Sequence, residues 1–252
     1  MKDIITNLDG IIEKLRNDWD YTIVISGRRR KGKSTLAYHI AEYVSQKLES
    51  KIWLCYDYDG EKGLREAMFN SKQFDVIFAD ETISFLSKND WNHPHAREFI
   101  ELFDRSAYKN LLYLFVIPSF SSLMKGFRTD RIDMHLWIPQ RGMMKAYVSK
   151  DTKEGVYMPD RAIFSDTFPP LPADKEEYYQ RVKMERHEET IAKKRREGLV
   201  PPGSYLQELI RINARMKGFE KFHLTQTHRA QFFNKTTRQI KNWDKLAKMG
   251  AI

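Results

Sequence analysis

Apolar residues recur at helical spacing at the start of the chain. Ile4, Ile5, Leu8, Ile11, Ile12 and Leu15 predict an amphipathic helix over roughly the first twenty residues. Residues 21–26, YTIVIS, follow as an unbroken run of the β-branched kind that is buried in a parallel sheet. Residues 34–48, STLAYHIAEYVSQKL, return to the helical period, as do residues 94–107. Short strands are predicted at 51–56 (KIWLCY), 75–79 (DVIFA), 111–117 (LLYLFVI) and 134–138 (MHLWI). Strands alternating with helices imply a doubly wound α/β sheet. A turn around Gly142 would pair 134–138 with 145–148 as a terminal hairpin.

The pattern changes at residues 165–173, SDTFPPLPA, where three prolines in nine residues predict irregular backbone and a domain boundary. Residues 174–197 are highly charged with few apolar anchors, and read as an exposed connecting helix. Beyond GLVPPG, the last fifty or so residues recover an apolar pattern of their own. The expected division is therefore 1–164, a linker with a charged helix at 165–203, and a small unit at 204–252.

Composition narrows the class. The chain has 252 residues, 41% hydrophobic and 31% charged, which is ordinary for a globular protein able to bury a core. No stretch approaches the roughly 18 consecutive apolar residues of a membrane span, and the start lacks a secretory pattern. Cys55 is the single cysteine, excluding an internal disulfide framework and a cysteine-based zinc site. A cytoplasmic setting, of a cell or of a virus-infected cell, is the expectation. The net charge of +9 is uneven: residues 174–252 carry 18 Lys+Arg against 10 Asp+Glu. A basic last third makes an anionic partner, double-stranded DNA above all, the natural expectation.

The strongest chemical signal is residues 27–34, GRRRKGKS, which fit G-x-x-x-x-G-K-[ST] between a buried-type strand and a helix. Gly27 and Gly32 permit backbone conformations that turn successive N–H groups, through Arg30 and Lys31, toward phosphate, and the helix N-terminus adds its dipole. Lys33 would reach the β- and γ-phosphates, Ser34 would ligate Mg²⁺, and Thr35 would donate to the α-phosphate. Residues 74–81, FDVIFADE, supply the carboxylates: Asp80 suits the metal and Glu81 suits polarising a water in line with the γ-phosphate. No Asn-Lys-x-Asp occurs, which disfavours GTP, so ATP and Mg²⁺ are the expected cofactors. Ser119, at the tip of the 111–117 strand, is the candidate group for the γ-phosphate or its water. Arg105 and Arg131 are candidates to act on a neighbour's nucleotide, a role typically worth 10³–10⁵ in rate.

Residues 116–138, VIPSFSSLMKGFRTDRIDMHLWI, resemble the FtsK/HerA class of DNA-pumping ATPases, with Pro118, Ser119 and Arg131 at the matching positions. The order of phosphate loop, Asp-Glu pair, polar strand tip and arginine before a strand is shared over roughly residues 21–140. The region is also similar to viral genome-packaging motors and to morphogenesis proteins of filamentous phage. The resemblance implies a RecA-like P-loop NTPase sheet flanked by helices, and a homo-oligomeric ring such as a hexamer.

The last unit reads as three helices at 204–217, 225–233 and 236–249, with a minimal turn at Asn234-Lys235. Ala230, Asn234, Ile240 and Trp243 fall at spacings that resemble a helix-turn-helix, with or without a wing. Thr236 would cap its second helix, and Arg229, Thr236, Thr237, Arg238, Lys241 and Asn242 are the candidate DNA contacts. The leading expectation is thus an ATP-driven motor on DNA. An ATP-gated DNA-binding switch and a nucleotide-driven assembly protein are its alternatives.

Overall fold

A computed structural model describes residues 2–58, 63–80, 86, 94–152, 155–196, 229 and 237–248. The chain divides into two compact units, Met1–Lys183 and Met184–Ile252. In the first, helix α1 (Lys2–Arg16) leads into strand β1 (Tyr21–Ser26), the phosphate-loop segment and helix α2 (Lys33–Leu48). Strand β2 (Ile52–Cys55), helix α3 (Leu64–Asn70), β3 (Val76–Asp80), α4 (Pro94–Arg105), β4 (Leu112–Ile117) and α5 (Lys125–Asp130) follow. The sheet is completed by β5 (Met134–Gln140), β6 (Met143–Val148) and β9 (Phe164–Thr167), while β7 (Lys150–Thr152) and β8 (Gly155–Tyr157) form a separate small hairpin.

The seven-stranded sheet has the order β2-β3-β4-β1-β5-β6-β9. Its first five strands are parallel, β6 pairs antiparallel with β5, and β9 pairs antiparallel with β6. This is the expected α/β sheet flanked by helices, and β4 lies between β1 and the strand carrying Asp80. Both faces are covered, which is why the central strands read as continuous apolar runs. Alternation sorts their side chains: Ile23, Ile25, Phe78, Leu114 and Val116 pack with α1 and α2. Val24, Ile77, Ala79, Tyr113 and Phe115 pack on the opposite face, where Phe99 and Phe103 of α4 and Phe127 of α5 build an aromatic cluster.

Within the first unit the expected strands and helices are present, most of them within a residue or two, and the hairpin turns at Gly142; the expected helix at 204–217, and all of that at 225–233 except Arg229, lie outside the described residues. The stretch around residue 165 differs from expectation, because Ser165–Thr167 belong to β9 and pair with β6. The prolines sit at 169, 170 and 172, after the strand has ended. Phe168, Leu171 and Tyr179 are buried in the first unit, so the expected linker begins inside its core. At the other end of the unit, the Ile4 amide donates to Asp166 Oδ2 at 3.0 Å, tying the first turn of α1 to β9.

The charged helix exists as α6 (Ala173–Arg196). It is not merely an exposed connector: Tyr179 is 3% exposed, while the adjacent Tyr178 is 49% exposed. Lys175 pairs with Glu42 of α2, and the carbonyl of Pro169, just before the helix, lies 3.0 Å from His39 Nε2. In the second unit, helix α7 (Thr237–Lys248) buries Ile240 and Trp243, the apolar positions expected of it. Ala230, Asn234 and the first expected helix of that unit lie outside the described residues.

Candidate nucleotide site

Parallel strands end together, and the crevice beyond their carboxyl ends is where an open α/β sheet holds ligands. Ser26, the last residue of β1, lies in register with Ile117 of β4 and Trp137 of β5, and Asp80 of β3 lies in register with Val116. The loop after β1, the tip of β4 and the acidic end of β3 therefore share one edge.

Gly27 leaves β1 at φ 153°, and a Cβ there would come within 2.8 Å of the Ile138 carbonyl oxygen. Arg30 takes a left-handed φ of 60° and Gly32, at φ 91°, starts α2 without a side-chain cap. A left-handed residue at the helix entrance lets neighbouring amides converge on an anion, and the absence of a side-chain cap leaves that helix end available for one. Lys33 is 7% exposed, and its Nζ donates to the Arg28 carbonyl at 3.3 Å, so the ammonium is folded back along the loop. Ser34 Oγ donates to both carboxylate oxygens of Asp80, at 3.3 and 3.2 Å.

The Ser34–Asp80 pair fits a magnesium ion. Mg²⁺ takes oxygen donors, keeps several of its waters and is held by one or two protein groups together with phosphate. A hydroxyl and a carboxylate converging from α2 and β3 at the mouth of the phosphate loop are such a set.

A cavity of about 360 Å³ opens over Arg30, Lys33, Ser34 and Thr35, with Arg141 of the β5–β6 turn and Tyr179 of α6 in its wall. Phe168 packs over Gly32, where an added Cβ would meet its ring at 3.3 Å. Tyr179 donates its hydroxyl to Asp80 Oδ2 at 2.6 Å. Burial and the negative Asp80 push the Tyr179 phenol well above its ordinary pKa, which keeps the hydroxyl a donor.

A second, larger cleft of about 750 Å³ lies beside the start of the loop, lined by Gly27, Arg28, Ser119, Arg128, His135 and Trp137 among others. Ser119 lines this second cleft with Gly27 and Arg28, and not the cavity over Lys33, Ser34 and Thr35; its Oγ is 3.0 Å from Ser121 Oγ. On the floor of the cleft, His135 Nε2 lies 2.8 Å from Ser26 Oγ, and the imidazole stacks on Phe120 at 4.0 Å and Tyr147 at 5.5 Å. Burial lowers the His135 pKa to about 4, so the ring is neutral at physiological pH.

Glu81 and Thr236 lie outside the described residues, as does the side chain of Asn242. Arg131 is not at the loop of its own chain. It grips Asp104 through Nε and Nη2 at 3.0 and 2.9 Å. Register places it at the opposite ends of the strands, roughly 20 Å from Gly27 at the usual rise per residue. Arg105 is exposed and pairs with Glu101 at 2.6 Å.

In the second unit Thr237, Arg238 and Lys241 are exposed on α7. Arg229 is not available to DNA, a correction to the sequence-based expectation. It is fully buried, and its guanidinium forks onto Asp244 with contacts of 2.8 and 3.2 Å.

The sequence reading missed Tyr179, Phe168, Arg141 and His135. For Tyr179 the available signal was an aromatic pair in an otherwise charged helix. For His135 there was none, because its partner Ser26 is 109 residues away.

No family model matches the chain, and no curated protein matches it. Among solved structures it is similar to the genome packaging NTPase B204 of Sulfolobus turreted icosahedral virus 2 in complex with ATP-gammaS, at 15% identity and a TM-score of 0.41, over 60% of this chain and 98% of that one. It is also similar to the N-terminal domain of zonular occludens toxin from Neisseria meningitidis, at 12% identity and a TM-score of 0.38, over 61% and 95% of the two chains. The FIGL-1 AAA domain in complex with ADP matches at 21% identity and a TM-score of 0.35, over 46% of this chain and 42% of that one, so less than half of its length is spanned.

Proposed function

We propose that the chain is an ATP-hydrolysing motor acting on double-stranded DNA, of the FtsK/HerA type. The observation that carries the ATPase part is the convergence of Ser34 and Asp80 beside a Gly27–Ser34 loop whose glycines and Arg30 take the conformations a phosphate cradle requires.

The amides at the start of α2 bind and orient the triphosphate, with the helix dipole behind them. Lys33 exchanges the Arg28 carbonyl for the β- and γ-phosphate oxygens, a charge-assisted contact that strengthens as negative charge develops there. Ser34 and Asp80 would hold Mg²⁺, which would supply neutralisation of the negative charge on the phosphates. Glu81, the next residue along the chain, is assigned the task of polarising the attacking water, and Ser119 that of orienting it. Phe168 and Tyr179 shield the loop on the α6 side, where excluding water strengthens each of these contacts. Arg131, at the far ends of the strands from its own loop, and the exposed Arg105 are assigned to a neighbouring subunit's nucleotide in a ring.

Thr237, Arg238 and Lys241, exposed near the start of α7, with Thr236 and Asn242, are assigned to DNA. The net positive charge of residues 174–252 supports that assignment.

The test is steady-state ATP hydrolysis with and without long duplex DNA. Stimulation by any sufficiently long duplex, abolished by Lys33→Ala, is the expected result. A rate indifferent to DNA refutes the motor, and a response to one short sequence alone indicates an ATP-gated switch.

A further inference from the structure

Asp80 meets two hydroxyl donors of different character. Ser34 Oγ spans both carboxylate oxygens at 3.2–3.3 Å, long contacts from a side chain that must turn away to ligate a cation. Tyr179 donates to Oδ2 at 2.6 Å, within the range of a strong bond to an ionised oxygen.

The Tyr179 ring is held on three sides. Phe78 stacks on it at 6.2 Å and 9°, Tyr38 meets it edge-on at 6.1 Å, and Tyr56 lies 6.2 Å away. Among the described side chains of α6 it is the one that is buried. The helix thus sends one aromatic inward, and its hydroxyl ends on the metal carboxylate.

We infer that Tyr179 is a positioning residue for Asp80: by holding Oδ2 from α6 it fixes the carboxylate rotamer and leaves Oδ1 directed at the hydrated cation beside Ser34. This rests on the nucleotide-site reading above and extends it, because it makes α6 part of the ATPase centre. A carboxylate free to rotate about its terminal torsion samples a broad range of orientations. One pinned by a short charge-assisted bond presents its second oxygen in a fixed direction, the role that outer partners play around metal ligands.

The experiment is titration of a fluorescent ATP analogue into the full chain, in EDTA and across a range of Mg²⁺ concentrations, for wild type and Tyr179→Phe. The phenylalanine keeps the ring contacts and removes only the hydroxyl. Expected is an affinity in EDTA within twofold of wild type, with the Mg²⁺ concentration needed for half-maximal tightening raised about tenfold, as for loss of one hydrogen bond to a charged group. An unchanged Mg²⁺ requirement overturns the inference. So does an equal loss of affinity in EDTA, which would mark Tyr179 as packing only. Failure of wild type to bind the analogue under either condition sinks the nucleotide reading itself, and this inference with it.

Discussion

Acidification should withdraw stability from the first unit through His135. Its imidazole is buried, sits between Phe120 and Tyr147, and has a pKa of about 4 against an ordinary 6.5. The unfolded chain therefore takes up a proton between these values that the folded chain refuses, so stability present above pH 6.5 is lost as pH falls toward 4. At about 1.4 kcal/mol per pKa unit, the loss reaches roughly 3 kcal/mol by pH 4. Asp133 opposes this. Burial raises its carboxyl to about 6 from an ordinary 3.8, so its contribution is full below pH 3.8 and is lost as pH rises through 6. The wild-type profile also carries the raised Asp20 and the lowered Asp166, so a variant is needed to isolate His135. His135→Phe keeps an aromatic ring in the stack but leaves the buried Ser26 hydroxyl without its imidazole, at about 1–3 kcal/mol near pH 7. Urea unfolding from pH 4 to 7.5, followed by tryptophan fluorescence, should show the variant less stable than wild type at pH 7 and equal or more stable at pH 4. A stability difference that stays constant across the range refutes the reasoning.

Further outcomes follow from other sites. Gly27→Ala places a Cβ at 2.8 Å from the Ile138 oxygen and should cost about 1–3 kcal/mol while weakening ATP binding, read by thermal unfolding with and without nucleotide. Arg229→Met leaves Asp244 buried without its guanidinium and should destabilise the second unit by about 3–5 kcal/mol, seen as an earlier unfolding transition. Arg238→Ala and Lys241→Ala should leave that transition in place and each flatten the salt dependence of DNA affinity by about one unit of slope, measured by fluorescence anisotropy. Lys33→Ala should remove ATP turnover while leaving the unfolding midpoint of the nucleotide-free chain within a degree or two, as for a single altered loop contact.

The central sheet was legible because its strands are buried on both faces. YTIVIS and LLYLFVI carry no polar face to confuse the period, and GRRRKGKS between a strand and a helix states both the turn and its use. Strand β9 was hidden because its four residues run into a proline-rich stretch, and local composition masked a partner fixed only by the β6 register. Tyr179 was hidden for a related reason: helical periodicity reports faces of residues, and a single buried ring makes no face. Arg229 shows the converse error. A basic residue in a basic segment reads as a phosphate ligand until its carboxylate partner, fifteen positions along the chain, is brought against it.

The bond between the Ile4 amide and Asp166 also has a meaning for biosynthesis. The first turn of the first helix is secured by a strand made 162 residues later. At about 5–20 residues per second, a ribosome needs roughly ten to thirty seconds to span that interval. Throughout it α1 can form and dock on the nascent strands, but its leading end stays unclasped. Tyr179 is made later still, so a nascent chain exposes its phosphate loop before the hydroxyl that steadies Asp80 exists.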